Sequence, residues 1–206
     1  AEDIDFEKAE KYEREVRHDV MAHVKAYGDQ APGAAGIIHL GATSCFVNCN
    51  SEVIIIDDAL DIILKKLVNV MDKLKRFALQ YKDLPTLGYT HLQPAQLTTV
   101  GKRATLWLQD LEMDYQNLTD LKSHVKLRGV KGTTGTQASF LELFGGDGEK
   151  VKELERRVVA KMGYDKVYGV TGQTYPRKFD YNVQCVLPQI AQSAYKFAND
   201  VRILQS

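Results

Sequence analysis

The chain carries no excess of either charge: 27 Lys and Arg stand against 27 Asp and Glu in 206 residues. No global field therefore draws it to nucleic acid or to an anionic membrane surface, and any anion site has to be local. No apolar run approaches the ~20 residues that span a bilayer. The charged start, Ala1-Glu2-Asp3-Ile4-Asp5, does not read as a signal peptide. Cysteine is scarce and odd in number, at Cys45, Cys49 and Cys185. Cys45 and Cys49 stand four apart, on one face if helical, but no further ligands are spaced for zinc. Free thiols in a reducing compartment are the expectation. A phosphate loop is missing, because Lys131-Gly132-Thr133-Thr134 follows only Gly129. So is a Gly-x-Ser-x-Gly elbow, which leaves serine hydrolase chemistry without support. His18 and His23 are five apart and miss the spacing of a shared metal, and His39 and His124 have no partner signal. Neither a metal nor a cofactor is expected. There is no fixed-period repeat.

What the chain does have is helical periodicity. At 44% hydrophobic and 26% charged residues it can bury a sizeable core. Residues 1–27 read as a helix with acids at its start and a sparse stripe of Val16, Val20, Val24 and Tyr27. Residues 28–36 are a loop, and 37–44 a short apolar segment ending in a Gly turn with Thr43 or Ser44 as cap. From Glu52 to Leu84 there is neither Gly nor Pro, and apolar residues recur at steps of three and four from Val53 to Tyr81. A helix of ~30 residues would be about 45 Å long. A second long pattern starts at Pro94 and runs to about Lys126, with Gly101 its weak point. A third starts near Arg177, contains Pro188, and reaches Leu204 without a cap, as if cut off in mid-pattern. Between the last two lie Gly-rich loops at 129–137 and 168–175, with short helices near Phe140–Phe144 and Lys150–Met162. Three such stripes predict a long-helix bundle, and the open-ended last helix predicts a piece of a longer protein.

Polar side chains gather at four places. Arg17-His18-Asp19 is a candidate site or a solvated helix face. Thr43-Ser44 is a candidate site or a pair of helix caps. Gln173, in Thr171-Gly172-Gln173-Thr174, is a candidate ligand or a turn side chain. The fourth is Gly88-Tyr89-Thr90-His91-Leu92-Gln93-Pro94-Ala95-Gln96, expected to be a turn or short extended piece opening onto a helix whose first turn holds Pro94. His91 would then precede a helix N-terminus, where anions are favoured. It could exchange a proton with an anionic substrate there, or simply satisfy turn backbone.

The block Thr90-His91-Leu92-Gln93-Pro94-Ala95-Gln96 resembles the first signature block of the fumarase/aspartase superfamily. Four further stretches, Arg17 to His23, Gly36 to Ser44, Lys131 to Gln137 and Thr171 to Tyr175, are similar to the animal-type adenylosuccinate lyase branch. The resemblance covers nearly the whole chain. It implies an all-α fold: residues 44–206 as the first part of the central long-helix bundle domain, preceded by residues 1–43 as the end of the N-terminal helical domain. It implies a β-elimination that splits fumarate from adenylosuccinate to give AMP, and from succinylaminoimidazole carboxamide ribotide (SAICAR) to give AICAR. A base removes the proton next to a carboxylate, the carbanion is held as an aci-carboxylate, and an acid protonates the leaving nitrogen.

By motif position the resemblance makes His91 the general acid. It makes Arg17, His18 and Asp19 binders of the nucleotide, with His18 also supporting His91. Thr43, Ser44, Thr90 and Gln173 become substrate-binding residues. It further implies a cytoplasmic homotetramer whose active sites are shared between subunits, with a small-molecule nucleotide substrate and neither nucleic acid nor membrane as partner. The family's serine-bearing loop, Gly-Ser-Ser-x-Met-Pro, has no counterpart here, and its C-terminal helical domain is absent, so turnover is not expected from these residues alone. Another lyase of the superfamily, argininosuccinate lyase above all, or a non-catalytic structural relative are the alternatives.

Overall fold

The computed structural model describes residues 3–205. They divide into two units, one made of the chain up to Ile55 together with Lys126–Arg177, the other of Ile56–Val125 and the chain from Lys178 onward. Among the described residues, no helix is long and apolar enough to cross a membrane.

Unit one begins with α1 (Phe6–Val16) and α2 (Asp19–Gln30). Asp5 caps α1 by accepting the Lys8 amide at 2.9 Å, which satisfies one of the N–H groups that a helix start leaves unpaired. The single helix expected over 1–27 is therefore two. Arg17 turns left-handed, with φ 52°, and closes α1 through its amide to the Glu13 carbonyl at 2.7 Å. A left-handed residue cannot continue an α-helix, although the Val16, Val20, Val24 stripe runs straight across the break. The helix α3 (Ser44–Gln80) starts eight residues before Glu52, because the cysteine- and asparagine-rich stretch before the stripe is helical as well. Its first turns belong to unit one. There they meet α5 (Ala138–Leu143) and α6 (Gly148–Lys161) around a small core of Val130, Phe140 and Val151, with Phe46, Leu154 and Val158 against it. Gly41, at φ 73°, lies where a Cβ would stand 3.1 Å from the Phe140 ring.

Unit two holds the remainder of α3, a hairpin of β1 (Pro85–Thr90) and β2 (Gln93–Thr99), and the helices α4 (Val100–Ser123) and α7 (Lys178–Leu204). The helical class expected from the stripes holds, and the hairpin is an addition to it. The second helix begins at Val100, not at Pro94, so Pro94 lies in a strand opposite Tyr89. Thr99 is the true cap, its hydroxyl accepting the Lys102 amide at 3.0 Å. Leu87 pairs with Leu97 and Thr90 with Gln93, and the ladder shifts register at Gly88. The start of α4 is pressed onto the end of α3: Gly101 donates its amide to Tyr81 O at 2.9 Å, and a Cβ at Gly101 would stand 2.3 Å from the Ala78 carbonyl oxygen. Along α4, Ala104, Leu111, Leu118 and Leu121 are buried as the stripe requires, and along α7 Phe179 and Val183; next to the stripe Val186 is buried where Leu187 is half-buried. α7 runs through Pro188. Towards the far ends the expected faces are uncovered, with Val70, Phe77, Phe197, Val201 and Leu204 exposed.

Candidate functional site

Three of the four polar blocks lie in unit one, where they converge on the start of α3. Arg17 sits at the left-handed corner between α1 and α2, and its backbone bond to Glu13 leaves its guanidinium on the surface. His18 caps α2: its Nδ1 accepts the Met21 amide at 3.4 Å, which in the neutral ring leaves the proton on Nε2. The same Nδ1 lies 3.3 Å from Asp19 Oδ1. The carboxyl of Asp19 is held below the usual carboxylate range, first by the Val20 amide and then, against burial, by the Asn48 side chain at 3.4 Å and by His18. Asn48 opens the second turn of α3, so this bond ties the Arg17-His18-Asp19 corner to the helix that starts at Ser44. Thr43 is buried directly before that helix, its carbonyl accepting the Phe46 amide at 2.9 Å, and Ser44 is half-buried.

His39 belongs to this group, although spacing gave it no partner. Burial lowers its pKa, and the nearby charge of His18 lowers it further. His124 also has a partner, being turned onto the Asp120 carbonyl at 2.8 Å at the end of α4.

Gln173 lies in the 168–175 loop with its side chain exposed and its carbonyl bound. The Arg128 Nε donates to that carbonyl at 2.6 Å. Arg128 is fully buried, and its other nitrogens donate to the carbonyls of Lys131 at 2.8 Å, Gly132 at 2.7 Å and Gly172 at 3.5 Å. Burial pulls its pKa down, while Cys49, Cys45 and Glu155 raise it. The same loop reaches α3 through Tyr175, whose backbone meets the Cys49 thiol; burial raises the pKa of that thiol. All three cysteines are free thiols. Asn50, two turns into α3, closes the arrangement by bonding Gly129 twice, at 3.1 Å to its amide and 3.2 Å to its carbonyl. Spacing did not single out Asn48, Asn50 or Arg128. Asn48 and Asn50 follow Thr43-Ser44 on the first turns of a helix and Arg128 opens a Gly-rich loop, which is the signal that could have marked them.

Thr90 and His91 belong to unit two. His91 does not precede a helix. It and Leu92 form the two-residue tip of the hairpin, with φ of 53° and 58°. A two-residue hairpin turn with both central residues left-handed is the type whose twist matches its strands. Asn and Gly favour that conformation, and a histidine followed by leucine stores strain in it. Both side chains are exposed, and Arg103 braces the base of the hairpin by donating to Leu87 O at 2.8 Å. Among the described residues no three His, Cys, Asp or Glu side chains gather as a metal site.

The chain matches known proteins along nearly its whole length. A family model described as Lyase matches residues 7–206. The chain is 58% identical over 202 residues to adenylosuccinate lyase of Saccharomyces cerevisiae, and 47% identical over 204 residues to adenylosuccinate lyase of Schistosoma mansoni. Those matches take in 98% of this chain and 42% of each relative, so the chain spans less than half the length of the curated relatives it matches. Among solved structures, a fumarate lyase from Mesorhizobium sp. BNC1 superposes with a TM-score of 0.83 at 24% identity, over 98% of this chain and 46% of that one. The 3-carboxy-cis,cis-muconate lactonizing enzyme of Pseudomonas putida superposes with a TM-score of 0.80 at 25% identity, over 98% and 45%. Fold, motif blocks and family model agree, and the chain belongs to the lyase family that this model describes.

Proposed function

We propose that this chain is part of an adenylosuccinate lyase, which eliminates fumarate from adenylosuccinate to give AMP and from SAICAR to give AICAR. The observation that carries the reading is the 58% identity to a protein of that name over nearly the whole chain, together with the four polar blocks. In this reading Arg17, His18 and Asp19 bind the nucleotide. The corner geometry suits that task, with a guanidinium, an imidazole and a low-pKa carboxylate on one exposed turn. Thr43, Ser44, Thr90 and Gln173 hydrogen-bond the substrate. His91 is the general acid that protonates the leaving nitrogen. The strained turn that carries it supports this role, since such turns gather at working sites. The base, a serine on a loop, comes from residues outside these 206.

The active protein in this reading is a cytoplasmic homotetramer with sites shared between subunits. Free thiols fit a reducing compartment. A largely apolar groove of about 590 Å³ in unit two, lined by Leu67, Val70, Phe77, Trp107, Leu111 and Phe197, fits helices that have further partners. Residues 44–206 then open the central helical domain, and residues 1–43 end the one before it.

The test is fumarate release from adenylosuccinate by the full-length protein, with argininosuccinate as control. Release from argininosuccinate alone, or from neither, would refute the assignment. His91→Ala in the same protein lowers elimination by about 10²–10⁴-fold, as for the loss of a positioned acid, with the oligomer retained. Near-normal turnover in that variant removes His91 from the mechanism.

A further inference from the structure

We infer that Arg128 is the positioning residue for Gln173, and that its buried guanidinium holds the 171–173 loop against the 128–132 turn so that the glutamine side chain is presented to substrate in one place. The inference rests on the reading that Gln173 binds substrate. Its physical basis is the fork. A guanidinium offers five donors in one rigid plane, and here they are distributed over two segments: the carbonyls of Gln173 and Gly172 on one, those of Lys131 and Gly132 on the other. No aspartate or glutamate pairs with it directly among the described residues. Glu155 instead takes Lys131 Nζ and the Val130 amide, each at 2.9 Å. A buried cation spent entirely on carbonyl oxygens is an expensive way to hold a surface loop, and it makes sense where a loop must not drift.

The two segments also leave no slack. Gly135 has φ 78°, and a Cβ on it would stand 1.9 Å from the Thr171 carbonyl oxygen. The Gln173 side chain, by contrast, is exposed. The backbone is clamped and the side chain left available, which is the arrangement a binding residue requires.

Arg128→Lys, Gln173→Ala and the double variant test this in the full-length protein. An ammonium cannot span both segments as the fork does. Arg128→Lys is expected to raise KM for adenylosuccinate about ten- to a hundredfold, the scale of a displaced contact, with a smaller change in kcat. In the Gln173→Ala background it should add less than about twofold, because one contact cannot be lost twice. Glu155→Gln disturbs the same buried network without touching 171–173; it should lower the melting temperature and leave KM nearly unchanged. Arg128→Gln, uncharged and still a donor, serves if the lysine variant does not fold. Hydrogen exchange gives an arm that needs no substrate: the 171–175 amides should exchange faster in Arg128→Lys while those of α6 do not. Unchanged exchange, an unchanged KM, or effects that simply add in the double variant each overturn the inference. If the wild-type protein releases no fumarate, the functional reading has failed, and the exchange result still decides whether Arg128 fixes the loop.

Discussion

The two units differ in where most of their long-range polar bonds go. In unit one, side chains bond to backbone: Arg128 to four carbonyls, Asn50 to Gly129, Gln137 to Val130 O at 3.0 Å, Glu155 to the Val130 amide. In unit two they bond to one another between helices: Lys196 to Asp110 at 2.6 Å, Trp107 to Asp200 at 2.7 Å, Asn117 to Gln189 at 2.7 Å, and Lys122 to Asp57 and Asp61. The difference follows from backbone accounting. A helix satisfies its own N–H and C=O groups, so its side chains are left for neighbours; a buried loop does not, and side chains must do it. Such inter-helix pairs, partly open to solvent, add little stability each. Losing one buried donor to a loop leaves a carbonyl unsatisfied and costs about 1–3 kcal/mol. Unit one, which carries three of the four polar blocks, is thus held by a few irreplaceable groups. Unit two is held by many that can be spared.

Substitutions can break this comparison. The largest effect is expected at Gly135 in unit one. Gly135→Ala combines a left-handed backbone with a clash against Thr171 O, and should destabilise by about 3 kcal/mol. A denaturant midpoint close to wild type would show that these loops can yield. Gly101→Ala in unit two also meets backbone, at Ala78 O and Lys82, but its φ is unstrained and helices can shift; about 2 kcal/mol is expected. If Gly101→Ala proves the worse of the two, the contrast between spared and irreplaceable groups is wrong.

The smallest effect sharpens the comparison at its exception. Asp114 is a buried carboxyl among the helices of unit two, and its Oδ2 has no hydrogen-bond partner among the described residues. Burial raises its pKa, a Ser193 bond opposes this, and the Asp110 charge adds to it. Because the folded value lies above the unfolded one, the stability linked to this group is complete below the unfolded pKa of about 4 and is lost as pH rises through the folded value. Asp114→Asn should therefore raise the melting temperature at neutral pH, by about 1 kcal/mol in stability, and the gain should vanish in acid. An equal gain at both pH values would mean that ionisation is not the cause.

Much of this was legible in the residues. The stripes at Val53–Tyr81 and Phe179–Leu204 are helices, and the Gly-rich stretches are loops, because three- and four-residue periodicity and glycine punctuation act locally. Two features escaped for opposite reasons. The break at Arg17 is invisible to periodicity, since a valine stripe crosses it and no Gly or Pro marks it. The hairpin is invisible to turn chemistry, since its tip is His91-Leu92 and not Asn-Gly; Leu97, inside the helical pattern expected from Pro94 onward, is an exposed strand residue. The candidate residues themselves were found by motif. Their supports, Asn48 and Arg128, act through contacts distant in sequence and leave no periodic trace.

The left-handed tip has one more consequence. Leu92 does not favour its own left-handed conformation and His91 only tolerates it better than most residues, so the ladder from Pro85 to Thr99 must impose it. The direction of the imidazole is then a property of strand register and not of the residue that bears it. A slip of one position along β1 and β2 would send successive side chains to the opposite faces, and the imidazole would be turned elsewhere with no residue of the chain changed.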